Sequence, residues 1–350
     1  MLSDLKHRQR SRQNGLIRSV APMAYITLVM LVVALITSSI LGMVWIEILI
    51  SYMLVGGACA FLVFLVGVFL HALTLIRQSE VDPIIVLRRR WSSMDSGVRL
   101  TLCLLWPLFL SGFTATKIGI VHLRGFHWDA FLSYLDFRIF GVDPWVPLHQ
   151  ALGGYPLPWL ISILYWTWAV ALFGFPAIFA FVAPVKTAAR FFAVMAGVWA
   201  VGGVGVAYWL SSAGPVFAHL FDPTLLGRFQ PLIEVLRTEL PENSPTLRGQ
   251  AYLAATAYSP DMVRGGGISA MPSMHVAQAA LYACALWQHA IGRWIGITYA
   301  LLIWLGSVML GYHYVTDGLV SIAIVAAGWW VSGRARLLNP AYWLSTSNVS

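Results

Sequence analysis

The feature that most constrains this chain is a series of long apolar stretches. Each is long enough to cross about 30 Å of hydrocarbon at a helical rise of about 1.5 Å per residue. They lie near residues 22–45, 49–76, 100–117, 157–182, 189–211, 272–289, 293–311 and 314–333. None shows the polar–apolar alternation of membrane-barrel strands. The sequence therefore predicts an all-α, polytopic membrane bundle of about eight transmembrane helices.

The composition agrees with a membrane environment. Hydrophobic residues make up 59% of the chain and charged residues 10%, against roughly 25% charged in a soluble domain. The net charge of +8 would suggest nucleic acid in a soluble protein, but membrane topology explains it, so no nucleic-acid partner is predicted. The three cysteines, Cys59, Cys103 and Cys284, lie in apolar stretches without metal-ligand spacing and are interpreted as packing residues.

The distribution of Lys and Arg predicts the orientation. If the N-terminus is cytoplasmic, 15 of the 22 basic residues fall in inner segments, as the positive-inside rule requires. The first apolar run follows a basic N-terminal segment and is too long for the apolar core of a cleaved signal peptide. We therefore expect it to be retained as a transmembrane helix. We predict an integral protein of the bacterial inner membrane, with both termini cytoplasmic and its two long segments, 118–156 and 212–271, outside.

These two outer segments contain helical patterns of their own. Residues 126–153 mix aromatic and charged side chains, as an interfacial or re-entrant helix does. Residues 222–240 alternate apolar and charged residues at helical spacing, and Pro241 and Pro245 follow. We predict an interfacial helix in the first segment and a short surface helix followed by a loop in the second.

The first chemical motif is the glycine-rich stretch 265–275. Its pattern predicts a loop followed by a helix, with Pro272 in the first turn. Unpaired N–H groups at a helix start bind anions, and Ser269, Ser273 and His275 could add donors. A phosphate suits this site. The alternative is that one serine merely caps the helix while His275 lies among lipid headgroups.

The second motif places His313 and Asp317 four residues apart, on one face of a helix that starts there. A carboxylate so placed holds the imidazole and leaves its other nitrogen available to attack or to move a proton. The alternative is an ordinary ion pair. One predicted span separates the helix starts near His275 and His313, so both should lie at the outer surface.

These motifs resemble those of the type 2 phosphatidic acid phosphatase superfamily. The closer resemblance, over roughly residues 100–333, is to its inositol phosphorylceramide synthase-like branch, through Gly267-Ile-Ser-Ala-Met-Pro-Ser-Met-His275 and His313-Tyr-Val-Thr-Asp317. The resemblance implies that His313 is a nucleophile forming a phosphohistidine, that Asp317 orients it, and that His275 protonates the departing oxygen. It implies no metal and no cofactor.

The chain departs from the family pattern at two places. The first family motif, a Lys followed by Arg-Pro, is matched by Lys117 and Arg124, but Gly125 stands where Pro would. The third motif usually begins with Ser-Arg, yet Gly306 and Ser307 occupy those places. One phosphate-binding Arg is therefore absent, and another residue must supply its charge.

The preferred replacement is Arg264, with Lys117 and Arg124 as further phosphate-binding candidates, because a guanidinium offers two parallel donors to a phosphate. Each could instead be a solvated loop charge. The stretch 129–147 resembles the interfacial segment of the synthase-like branch, which implies that Asp129 and Asp136 contact the acceptor or the lipid.

The motifs predict phosphate chemistry, and the resemblance implies a lipid phosphotransferase that moves a phospho-headgroup, such as phosphoinositol, from a phospholipid donor to a lipid hydroxyl, in the manner of sphingolipid synthesis. Hydrolysis of a lipid phosphate or isoprenyl diphosphate, with water as acceptor, is the alternative. A non-catalytic transporter is a third hypothesis, disfavoured because the spans hold almost no mid-membrane charge. The predicted organisation is 1–99 (N-terminus, two extra helices and basic loop), 100–333 (six-helix catalytic core) and 334–350 (cytoplasmic tail).

Overall fold

A computed structural model describes residues 2–77, 94–259, 261, 263 and 265–337, and these contain helices and loops without any strand. The predicted all-α class is confirmed. We number the main helices α1 Leu2–Leu41, α2 Ile46–Arg77, α3 Met94–Leu123, α4 Asp129–Phe140, α5 Trp145–Leu152, α6 Leu157–Val182, α7 Val185–Ala200, α8 Leu226–Glu239, α9 Pro245–Thr256, α10 Met274–Leu286, α11 Ala290–Met309 and α12 Val315–Leu337.

Within the described residues, seven helices are long and apolar enough to cross a membrane, which makes this an integral membrane protein. They are α1, α2, α3, α6, α7 with its continuation to Trp209, α11 and α12. The eighth predicted span, 272–289, differs: its helix α10 has 13 residues and is about 20 Å long. It is shorter because Ser273 caps its start and its last residues leave the helix after Leu286.

By its internal contacts the chain divides into two units. The first comprises the described residues of Met1–Thr116, Ala169–Ala196 and Asp261–Arg264. Here the Trp106 indole donates a hydrogen bond to the Leu172 carbonyl (2.8 Å), and Thr114 Oγ1 donates to Tyr52 Oη (3.0 Å). Large apolar side chains on α2, such as Phe61 at 61% exposed, face outward, as expected of a surface that lipid covers.

The second unit comprises the described residues of Lys117–Trp168, Gly197–Pro260 and Gly265–Ser350. In it α10, α11 and α12 pack together, and side chains link the shorter helices to them. In α5, His149 Nδ1 lies 2.7 Å from Glu239 Oε2, and its Nε2 lies 2.9 Å from the Met309 carbonyl oxygen. Arg228 of α8 donates to the Asp143 carboxylate and to the Ser133 carbonyl (2.9 Å).

The outer segments contain more helix than we predicted. Segment 126–153 forms two short helices, α4 and α5, because the turn 141–144 contains Gly and Pro and interrupts the helix. Segment 222–240 forms the predicted helix as α8, but the following loop was a wrong prediction. There Ser244 accepts the Leu247 N–H and Pro245 takes the first position of α9. The predicted organisation into 1–99, 100–333 and 334–350 stays a prediction.

Candidate active site

The two predicted motifs meet in the second unit. His275 Nδ1 lies 3.1 Å from His313 Nε2, within hydrogen-bond distance. His313 is buried, Asp317 is fully buried, and His275 is half-buried. Each histidine lies at a helix start, His275 as the second residue of α10 and His313 two residues before α12. The fold thus joins two motifs that are separated by the whole of α11.

The surroundings of His313 determine its tautomer. Its Nδ1 lies 2.9 Å from the Ala270 carbonyl oxygen and 3.3 Å from Asp317 Oδ2. Both neighbours are acceptors, so Nδ1 carries the hydrogen and donates it. In the neutral ring Nε2 then has the lone pair and accepts the hydrogen of His275 Nδ1. The nitrogen that a nucleophile needs is therefore the one that faces His275.

Asp317 is held by the first turn of its own helix. Its Oδ2 also accepts the N–H of Tyr314 (2.9 Å), while its Oδ1 is buried and has no hydrogen-bond partner among the described residues. Ser321 Oγ bridges the two motifs, lying 2.7 Å from the Asp317 carbonyl oxygen and 2.8 Å from that of Ser273. The start of α12 is thereby tied to the start of α10.

The serines predicted to bind phosphate have different environments. Ser273 is completely buried, and its Oγ accepts the Val276 N–H (3.4 Å) as the cap of α10. This is the structural alternative raised for it. Ser269 is half-buried in the loop before the helix. Pro272 lies one residue before the cap rather than in the first turn as we predicted, because Ser273 takes the cap position.

Of the two basic candidates that the structure describes, Lys117 lies within electrostatic range of His275. It is half-buried near the end of α3, next to Ile118, whose backbone lies against Gly267. Any Cβ at Gly267 would approach the Ile118 backbone nitrogen to 3.1 Å, so the glycine loop lies directly on α3. Within the described chain we find no hydrogen bond or ion pair of the Lys117 ammonium.

The remaining basic candidates are Arg124 and Arg264. Arg124 lies just after α3 with its guanidinium carbon 6.0 Å from the centre of the Tyr208 ring, and its Nε is buried without a partner among the described residues. Arg264, the preferred candidate, lies outside the described residues. At the place of the missing family Arg, Ser307 is fully buried with its hydroxyl bonded to the Trp304 carbonyl (2.7 Å).

The two carboxylates predicted to contact the acceptor bind backbone instead. Asp129 accepts the N–H groups of Ala213 (2.8 Å) and Gly214 (2.9 Å), and Asp136 accepts those of Val315 (2.7 Å) and Thr316 (3.2 Å). Both side chains are buried. Burial raises the pKa of each carboxyl group, and the N–H donors oppose this rise by stabilising the ionised form. These contacts give both residues a structural role, and their contact with the acceptor or the lipid stays a prediction.

Two features of the site were missed by sequence reasoning. The buried segment 211–217 carries Ser212, which accepts the N–H of Ala270 on its carbonyl (2.8 Å) and that of Met271 on its hydroxyl (3.1 Å). Tyr165 and Trp168 flank His275, with ring centres 5.4 and 4.2 Å from its own. A run of small residues ending in Pro215 was the only signal for the segment, and nothing local marked the aromatic pair.

The fold and the site define a class: a helical membrane protein in which two histidines and an aspartate meet at helix starts. The comparison with family models agrees and goes further. The chain belongs to the PAP2 superfamily, whose model matches residues 138–331, more than half of the 350 residues. The match includes His275, His313 and Asp317. Comparison with curated proteins gave no match, and comparison with solved structures gave none either.

Proposed function

We propose that this protein is a lipid phosphotransferase that works through a phosphohistidine on His313. Membership of the PAP2 superfamily is consistent with lipid phosphatase or phosphotransferase activity. The observation that carries the proposal is the orientation of His313: its Nδ1 is committed to Ala270 and Asp317, so its Nε2 lone pair faces His275. A nucleophile and a proton donor directed at one point suit phosphoester cleavage.

In the first half-reaction, His313 Nε2 attacks the phosphorus of a phospholipid, a nitrogen–phosphorus bond forms, and the bond from phosphorus to the diacylglycerol oxygen breaks. His275, as an imidazolium when the phosphate is bound, gives its Nδ1 proton to that oxygen and becomes neutral, and diacylglycerol leaves. Asp317 stabilises the positive charge that develops on His313. The histidines are 3.1 Å apart here, so the phosphoryl group must separate them as it enters.

In the second half-reaction, a lipid hydroxyl attacks the phosphorus and the nitrogen–phosphorus bond breaks. His275, now neutral at Nδ1, takes the proton of the attacking hydroxyl, which returns both histidines to their starting state. The interaction of Lys117 with His275 supports a role for this cation in compensating the negative charge of the phosphate. The finer resemblance, to the inositol phosphorylceramide synthase-like branch, supports a phosphoinositol headgroup and a sphingolipid acceptor as parts of this proposal, at the non-cytoplasmic face.

The test supplies purified protein with radiolabelled phosphatidylinositol, and separately with radiolabelled phosphatidic acid, each with ceramide and with diacylglycerol as acceptors. Transfer predicts label in a new phospholipid with ceramide as acceptor, whereas transfer to diacylglycerol regenerates the class of the donor. Release of label as inositol phosphate from phosphatidylinositol, or as inorganic phosphate from phosphatidic acid, would instead assign the protein as a hydrolase with water as acceptor. The variant His313→Ala should reduce turnover at least about 1,000-fold, and unchanged turnover in this variant would refute the phosphohistidine mechanism.

A further inference from the structure

The helix that carries Asp317 starts on a carboxylate from a distant part of the chain. Asp136 of α4 places Oδ2 2.7 Å from the Val315 nitrogen and Oδ1 3.2 Å from the Thr316 nitrogen. These are the first two amides of α12, which have no carbonyl partner inside the helix. A negative charge here also interacts favourably with the positive end of the helix dipole.

Asp136 is itself held firmly in place. It is buried, and α4 is anchored at its first residue, Asp129, which accepts the N–H groups of Ala213 and Gly214. Asp129 Oδ1 also accepts the hydroxyl hydrogen of Tyr314 (3.0 Å), the residue that directly precedes α12. Asp129 and Asp136 are seven residues apart, about two turns along one face of α4. Their two carboxylates therefore hold both the start of α12 and the residue before it.

The geometry of this first turn decides where Asp317 points. Asp317 is the third residue of α12, and its Oδ2 reaches back to the Tyr314 N–H (2.9 Å) and to His313 Nδ1 (3.3 Å). The contact to His313 is already near the limit of a hydrogen bond. If the first turn loosens, Asp317 moves away from the imidazole while the other side chains around His313 stay in place.

We infer that Asp136 is a positioning residue for the reaction, one that acts through the first turn of α12 to hold Asp317 against His313. This inference rests on the proposed function. Asp136 lies outside the residues matched by the family model and outside both histidine motifs. Both of its oxygens accept peptide N–H groups.

The test uses the full-length protein with radiolabelled phosphatidic acid in detergent micelles. In Asp136→Asn the amide keeps one acceptor oxygen but places an NH2 group against the second peptide N–H. We expect kcat to fall about 10- to 100-fold, as for a small displacement of a reacting group, with KM within about twofold. The matched control is Glu234→Gln, because the Glu234 carboxylate is exposed on α8 and accepts a hydrogen bond from the Gln230 amide, and kcat should be unchanged.

A double-mutant cycle separates positioning from general destabilisation. If Asp136 acts through Asp317, adding Asp136→Asn to Asp317→Asn should lower kcat no further. The inference would be overturned by a proportional loss of kcat in both backgrounds, by a rise in KM at constant kcat, or by wild-type kcat in folded Asp136→Asn. Asp136→Glu, which keeps the charge, provides the same readouts if the Asn variant does not fold. Wild-type turnover in His313→Ala would mark the failure of the proposed function itself.

Discussion

At the scale of single residues, the site depends on which hydrogen-bond capacities are already used. The Nδ1 hydrogen of His313 is donated to two acceptors, which leaves Nε2 as the reactive atom. The closer acceptor is the Ala270 carbonyl, not Asp317, so a backbone oxygen shares the orienting role that the resemblance assigns to the aspartate. Lys117 is the contrasting case, a cation near His275 whose ammonium finds no partner in the described part of the chain.

We therefore predict that the charge of Lys117 binds the phosphate of the substrate. We expect Lys117→Met to lower kcat/KM for radiolabelled phosphatidic acid about 10- to 100-fold, the range for losing a hydrogen bond to a charged group. Lys117→Arg should recover a large part of this loss because it keeps the charge. The control is Lys186→Met, an exposed lysine of the first unit, and equal effects of the two Met variants would contradict a phosphate-binding role.

At the scale of elements, short irregular segments bring the helix starts together. Segment 211–217 lies buried between the first turn of α4 and the loop before α10, and it bonds to both. Its path requires Gly214, which has φ +90° and lies so close to Tyr312 that an added Cβ would collide with the Tyr312 carbonyl oxygen. A residue with a side chain would be strained here in two ways.

Gly214→Ala should accordingly destabilise the protein by about 2–4 kcal/mol, from the left-handed backbone and the steric conflict. Thermal unfolding in detergent should show a midpoint lowered by about 5–15 °C. Gly227→Ala is the matched control, because Gly227 lies in helix α8 with open space around its Cα, and alanine there should be neutral or slightly stabilising. Equal midpoints for the two variants would show that segment 211–217 adapts without cost.

At the scale of the whole molecule, the side of the membrane that the site faces follows from charge distribution and remains a prediction. Helix α10 begins at Met274, next to His275, and ends at Leu286, two residues before Gln288, so His275 and Gln288 lie at opposite ends of this helix. If the positive-inside assignment is correct, Gln288 faces the cytoplasm and Asn243, in the long second outer segment, faces the other side. Both residues are exposed.

Cysteine labelling tests this orientation. In a variant without the native cysteines Cys59, Cys103 and Cys284, we expect Asn243→Cys to react with a membrane-impermeant maleimide in intact cells. Gln288→Cys should react only after the membrane is permeabilised. The opposite pattern would place the active site at the cytoplasmic face. Labelling of both positions in intact cells would exclude α10 as a connection between the two sides.

The sequence by itself determined the helical membrane class, the surface helix α8 and the pairing of His313 with Asp317. These depend on local quantities: the length of apolar runs, breaker residues, and a four-residue spacing on one helix. The length of α10 was not predicted, since no Gly or Pro marks the point after Leu286 where the helix ends. The helix α9 was also missed, because its Pro and Ser were interpreted as breakers although they start a helix.

Only the tertiary structure decided which distant groups share the site. Residues that are far apart in the chain meet here: His275 contacts His313, Lys117 approaches His275, and Asp136 bonds to the start of α12. Their common physical cause is that unpaired amides and carbonyls at helix starts and in buried loops must find partners. The sequence shows which groups need partners, but only packing determines which carboxylate, carbonyl or ring nitrogen supplies them.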